Sequence, residues 1–229
     1  MTAPSPEAGR FITFEGGEGA GKSTQIAFLR RELESSGVPA RATREPGGTP
    51  RAERLRTALL SGRLASFGSL AEAALFSAAR IDHVDNLIRP ALARGEWVLC
   101  DRFVDSTRAY QGARGGADDG VDARRLDLLE KAATAGLVPD LTVILDIAPD
   151  DGLARVAQRR GASASPDRFE GEDMAFHRAL RQIFLDIAAA NPTRCCVLDA
   201  ARPVEAVARD IRDIVHARFL DHTGRVAAQ

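Results

Sequence analysis

Apolar positions along the chain fall into two alternating rhythms. Short apolar, β-rich runs occupy 10–15, 38–43, 97–101, 141–147 and 195–199, lengths that suit buried strands. Between them, 23–36, 69–94, 122–135, 150–160 and 173–190 place apolar residues every three or four positions, as in Leu126, Leu129 and Ala133. That spacing predicts helices that bury one face. Strand and helix in turn predict an α/β fold, a five-stranded parallel sheet flanked by helices, because parallel neighbours need a crossover between them. Two polar or glycine-rich stretches break the rhythm, GARGGADDG at 112–120 and RGASASPDRFEGE at 160–172, and both are loop or lid candidates. Residues 1–9 read as a loose leader and 221–229 as a tail. Residues 1–220 are then expected to form a single domain with a lid at about 160–172.

Composition narrows the function classes. The 229 residues are 45% hydrophobic and 28% charged, enough for a sizeable core, and the formal net charge of -1 removes the general electrostatic case for a nucleic-acid coat or an anionic-membrane binder. Cys100, Cys195 and Cys196 have neither disulfide nor metal-ligand spacing, so a reduced, cytoplasmic protein is expected. No stretch reaches the roughly 18 uninterrupted apolar residues of a membrane span. Of 31 basic residues, Lys22 and Lys131 alone are lysines, and one of them lies in a glycine-rich loop.

That loop is FITFEGGEGAGKST, residues 11–24. Gly16, Gly21, Lys22 and Ser23 fit G-x-x-x-x-G-K-[ST], after a predicted strand and before a predicted helix. Glycines let backbone N–H groups converge on phosphate oxygens, and the helix N-terminus favours negative charge. Lys22 can neutralise a triphosphate and Ser23 can ligate Mg²⁺. The nucleotide-binding candidates are therefore Gly16, Gly17, Glu18, Gly19, Ala20, Gly21, Lys22, Ser23 and Thr24. The loop alone fits GTPases, motor ATPases, small-molecule kinases and non-catalytic binders. No N-K-x-D sequence selects guanine, and no long strand ends in paired acids. In open parallel sheets the residues after other strands face the same crevice. Strand two runs into Thr43, Arg44, Glu45, Pro46 and Gly47, and strand three into Asp101, Arg102 and Phe103, followed by Ser106, Thr107 and Tyr110. Arg44 and Arg102 suit bidentate contact with a monophosphate. Asp101 either supports a metal or caps the next helix. The four histidines, His83 and His177 among them, show no ligand spacing.

FEGGEGAGKST, TREPGGTP, ALFSAARIDHV, VLCDRFVDSTRAYQG and DRFE together resemble the bacterial thymidylate kinases, over about 11–220. The resemblance implies a P-loop NTPase fold, transfer of the ATP γ-phosphoryl group to dTMP on the way to dTTP, Mg²⁺ as cofactor, and a homodimer built through helices beside the sheet. It implies that Phe76 stacks on thymine and that Arg80, one turn later, hydrogen-bonds the base. Arg102 holds the acceptor phosphate with Arg44 nearby, and Glu45, Pro46 and Gln111 complete the substrate set. Ser106 and Thr107 contact the base edge, while Tyr110 lies against the deoxyribose and leaves little room for a 2′-hydroxyl. Glu18 approaches the sugar 3′-hydroxyl or the metal shell, and Asp101 supports Mg²⁺ and its waters.

Phosphoryl transfer asks mainly for alignment and charge neutralisation. Lys22, Glu18, Arg102 and lid arginines are the catalytic candidates. Arg155, Arg159, Arg160 and Arg168 crowd the lid, with Arg160 the first choice and Arg168 the second. The segment is longer than the family's R-x-R-G-x-x-D-R-x-E form. After the last strand, Arg202 and Pro203 are expected to border adenine.

Overall fold

The computed structural model describes residues 9–62, 65–113, 121–160 and 168–220. Five strands pair in parallel: β1 (Phe11–Glu15), β2 (Ala40–Arg44), β3 (Trp97–Asp101), β4 (Leu141–Asp146) and β5 (Cys195–Asp199). The α-helices are α1 (Lys22–Ser35), α2 (Pro50–Leu60), α3 (Ser69–His83), α4 (Arg89–Ala93), α5 (Val104–Gly112), α6 (Ala123–Thr134), α7 (Pro149–Arg160), α8 (Met174–Ala190) and α9 (Val204–Val215). Strand order is β2-β3-β1-β4-β5. The crossover from β1 leads to β2 on one side of it and that from β3 leads to β4 on the other, which opens a crevice at the carboxyl end of β1.

Successive side chains of β1 leave on opposite faces. Ile12 and Phe14 pack with Leu99, Val143 and Leu145 against Ile26, Leu29 and Leu33 of α1 and Val207, Ile211 and Val215 of α9. Phe11 instead packs with Val98 and Cys100 against Val84, Ile88 and Phe103. Both faces of the central strands are thus dry, as a buried parallel sheet requires. Among the described residues no helix is long and apolar enough to cross a membrane.

Three helices, α2, α5 and α9, lie outside the predicted set. For α2 the signal is local: Thr49 Oγ1 accepts from Ala52 N and Pro50 opens the helix. For α9 the buried Val207, Ile211 and Val215 recur every four residues. In α5 the buried face includes the polar Ser106, Thr107 and Gln111, so no apolar stripe marks it.

The predicted helix over 69–94 is one run made of α3, a π turn at Val84–Ile88 and α4. Pro90 has no N–H for the carbonyl four residues back, and Arg89 N reaches Val84 O, so the ladder widens just before the proline. β2 covers Ala40–Arg44 rather than 38–43. Val38 N donates to Leu33 O in the turn after α1, so apolarity there marks burial and not pairing. β4 likewise ends at Asp146, while Ile147 stays in the core. The predicted leader apart from Gly9, the tail, and residues 114–120 and 161–167 of the two loop candidates lie outside the described residues.

Candidate active site

The glycine loop turns directly off the buried end of β1. Gly16 has φ +129, and a Cβ there would lie 2.3 Å from Leu145 O. Gly19 has φ +69, and its Cβ would lie 2.0 Å from Gly152 O. A side chain at either position would break the turn. Gly21 caps α1 in the left-handed region with no side-chain cap, which leaves the first N–H groups of α1 for an anion. Lys22 Nζ arches over the loop to Gly16 O (3.1 Å) and Gly17 O (2.8 Å). Ser23 Oγ donates to Asp101 Oδ2 at 2.7 Å, so the two metal candidates meet although 78 positions apart.

β3 delivers Arg102 in a strained backbone, φ +70, a region that branched or bulky residues avoid. The strain is held from below. Glu15 Oε1 accepts from Phe103 N at 2.7 Å and Glu15 Oε2 from Ser106 Oγ at 2.5 Å. Burial, with the nearby Asp105 charge, pushes the Glu15 carboxyl up to about 8. The Arg102 guanidinium then reaches Glu18 Oε1 (2.8 Å), Gly16 O (3.0 Å) and Ser106 Oγ (3.2 Å). Tyr110 Oη donates to the same Glu18 oxygen at 2.6 Å, and its ring lies 4.8 Å from the Arg102 guanidinium carbon. Burial alone would raise the Glu18 carboxyl, but Arg102 and Lys22 outweigh it and hold it down at about 2.

Two cavities open from this cluster. The smaller, about 120 Å³, is walled by Phe76, Arg80, Phe103, Ser106, Thr107, Tyr110, Gln111 and Pro46. Phe169 and Leu60, not anticipated from the sequence, complete it. The Phe169 ring stands 5.0 Å from Tyr110 and 6.3 Å from Phe76, an aromatic box suited to a flat ring. The larger, about 380 Å³, runs over residues Glu18 to Thr24 and takes in Arg44, Asp101, Arg159 and Glu170. Glu18, Glu45, Arg56 and Arg102 line both cavities and therefore mark the seam between them.

Arg56, which lines both cavities, is a further side chain that the sequence reading did not name. It sits on α2, donates to Pro46 O at 2.8 Å, and keeps its charge although burial and the nearby Arg44 lower its pKa. An arginine on the inward face of a helix opened by Thr49-Pro50 is the signal that could have found it. Arg44 lies at the rim, half exposed, with its Nη2 donating to both Glu53 carboxylate oxygens at 3.0 and 3.1 Å. Ser106 and Thr107 line the smaller cavity but spend hydroxyl bonds on Glu15, Arg102 and Arg80. Glu45 binds Arg80 and His83.

The arginines expected in the lid have different surroundings. Arg160 pairs with Glu170 at 2.5 Å and Arg168 with Glu72 on α3, whereas Arg159 lines the phosphate cleft. A carboxylate within reach of each side chain decides this, and spacing along the lid does not. Arg155 holds Ala200 O at 2.9 Å across the loop after β5, where a shallow hollow includes Asp151, Gln158 and Ala201. Arg202, expected at the adenine, pairs instead with Asp210 at 2.6 Å. Among the described residues no group of three His, Cys, Asp or Glu could hold a metal. The Ser23 and Asp101 oxygens fit a hard cation that keeps waters and takes phosphate oxygens.

Comparison with known proteins agrees with this geometry. The family model described as thymidylate kinase matches residues 14–211. Thymidylate kinase of Rhodopseudomonas palustris (strain TIE-1) is 56% identical over 214 residues, covering 93% of this chain and 91% of that protein. That of Bradyrhizobium sp. (strain ORS 278) is 53% identical, covering 93% and 92%. The crystal structure of thymidylate kinase from Ehrlichia chaffeensis superposes with a TM-score of 0.72 at 33% identity, covering 91% of this chain and 99% of that one. With the P-loop sheet, the paired cavities and these matches together, the chain belongs to the thymidylate kinase family.

Proposed function

We propose that the chain transfers the γ-phosphoryl group of ATP to the phosphate of dTMP, giving ADP and dTDP, at the seam between its two cavities. As a thymidylate kinase it is an ATP-dependent kinase. The observation that carries the residue roles is the set Glu18, Glu45, Arg56 and Arg102 common to both cavities, two of them arginines. An acceptor phosphate standing there faces the triphosphate end of the loop, with two guanidinium groups to bind it bidentately.

On the donor side, Gly16, Gly17, Gly19, Ala20 and Gly21 cradle phosphates with backbone N–H groups, while Lys22 and Thr24 hold the triphosphate. Ser23 and Asp101 would hold Mg²⁺, which would supply Lewis-acid neutralisation of the phosphate oxygens. On the acceptor side, the pyrimidine lies between Phe76 and Phe169 with Arg80, Thr107 and Gln111 at its edge. Tyr110 and Glu18, tied by a 2.6 Å bond, close the sugar side. Arg102 and Arg56 hold the acceptor phosphate in line, while Lys22 on the donor side offsets the charge that builds on the leaving oxygen. Arg159 joins them from α7. No strong base is needed, since the nucleophile is already a phosphate oxygen. Residues up to 220 act as one domain.

The active unit is a homodimer. Leu70, Ala74, Ala78 and Ile81 are exposed along one line of α3, and small residues among larger apolar ones let a second helix approach closely.

A coupled assay of ADP formation with the full chain, ATP, Mg²⁺ and a panel of nucleoside monophosphates tests the reaction. The expected outcome is fastest turnover of dTMP. Faster turnover of a different monophosphate overturns it.

A further inference from the structure

His83, the last residue of α3, is completely buried and has no spare ring nitrogen. Nδ1 lies 3.0 Å from Glu45 Oε1, and Nε2 lies 2.7 Å from Thr43 Oγ1. The second Glu45 oxygen, Oε2, accepts from Arg80 Nε at 2.7 Å. Beyond it, Arg80 Nη2 donates to Phe103 O (3.1 Å) and Thr107 Oγ1 (2.9 Å). The series Thr43, His83, Glu45, Arg80, Thr107 therefore runs unbroken from the end of β2, through α3, to α5.

Glu45 can only accept when it faces both Arg80 Nε–H and the ring, so Nδ1 carries a proton toward Glu45 while Nε2 shares a hydrogen bond with the Thr43 hydroxyl. The loop after β2 closes tightly on the ring: a Cβ on Gly48 would lie 2.5 Å from His83 Nε2. The ring can neither tilt nor exchange partners without moving that loop.

Arg80 gains one orientation from this arrangement. Its Nε and Nη2 edges are tied down on protein acceptors, while Nη1 has no hydrogen-bond partner among the described residues. Arg80 lines the smaller cavity together with Phe76, one helical turn earlier. We propose that His83 is a positioning residue for base recognition: through Glu45 it holds Arg80 so that Nη1 is offered to a pyrimidine carbonyl. The proposal rests on reading the smaller cavity as the dTMP site. It also gives Glu45 a role one step removed from substrate, acting through Arg80.

Two substitutions separate the links. In His83→Asn the amide nitrogen falls near the Nδ1 position and keeps the Glu45 bond. In His83→Gln the amide falls near the Nε2 position, keeping the Thr43 bond and losing Glu45. Steady-state kinetics of the full chain should show His83→Gln raising KM for dTMP by about tenfold, while KM for ATP changes by less than about twofold. His83→Asn should raise KM for dTMP by less than about threefold. In an Arg80→Ala background, His83→Gln should have little further effect, because the link acts through Arg80. Equal effects of Asn and Gln, parallel rises in both KM values, or full additivity with Arg80→Ala would overturn the proposal. Should His83→Gln fail to fold, Glu45→Gln weakens the same link from its other end and must reproduce the split between KM values; an unchanged KM for dTMP there overturns it as well. Wild-type turnover of dTMP tests the cavity reading separately.

Discussion

Arg56 lines both cavities, whereas Arg44, named from the sequence, lines the larger one alone. Both follow β2, but Arg44 is drawn off to Glu53 at the rim, whereas Arg56 reaches the seam with Arg102. Arg56→Ala should raise KM for dTMP about tenfold or more and leave KM for ATP within about threefold, because a lost charge-assisted bond to phosphate costs about 1.5–3 kcal/mol. Steady-state kinetics check it, and an unchanged KM for dTMP removes Arg56 from the acceptor site. Glu15 acts beneath the same seam. Its carboxyl is pushed up to about 8, by burial first and by Asp105 second, from 4.5. Between those values the folded state keeps a proton that the unfolded state has lost, so stability falls as pH rises. The contribution is complete below about 4.5 and gone above about 8. Glu15→Gln removes this titration. Denaturant curves at about pH 5 and about pH 8.5 should show the wild type losing stability relative to the variant, on the order of a few kcal/mol. A constant difference between the two proteins would refute a protonated Glu15.

At the scale of elements, the site depends on how closely backbones approach. α7 meets the glycine loop through Gly152, whose own Cβ would lie 2.3 Å from Glu18 O, just as a Cβ on Gly19 would meet Gly152 O. Gly19→Ala therefore adds a left-handed strain to a backbone clash. It should lower stability by about 2 kcal/mol and raise KM for ATP more than KM for dTMP, and thermal melts with paired kinetics measure both. This loop was legible in the sequence because its chemistry is local: glycine freedom, a helix N-terminus and one lysine within eight residues. The lid was less so. Arg160 and Arg168 satisfy every local criterion, yet Glu170 and Glu72 take their guanidinium groups while Arg159 faces the cleft. In α5 the face that carries site residues is polar, and so its helical period was hidden. The π turn was invisible for a different reason, since the apolar spacing continues across Val84–Ile88 while the hydrogen bonds widen beneath it.

For the whole molecule, the α3 stripe carries the prediction. Analytical ultracentrifugation should find two chains per particle, and Ile81→Asp should shift the equilibrium to monomer, since a buried, unpaired carboxylate in an apolar contact is costly. A wild-type chain that stays monomeric at micromolar concentration would remove the dimer. The α/β class, the five parallel strands and the nucleotide loop were determined by the sequence alone. Periodicity and turn chemistry act over a few neighbouring residues and leave their mark there. Phe76 and Arg80 were named through the resemblance of ALFSAARIDHV to the thymidylate kinases; local spacing adds only that they share one helix face. Tertiary structure alone decided that Arg56 and Arg159 face the clefts while Arg202 turns to Asp210. It alone joined Glu18 to an arginine 84 positions away and a tyrosine 92 positions away. A charged side chain takes its role from the partners that chain crossings bring to it, and those partners lie far beyond the reach of local pattern.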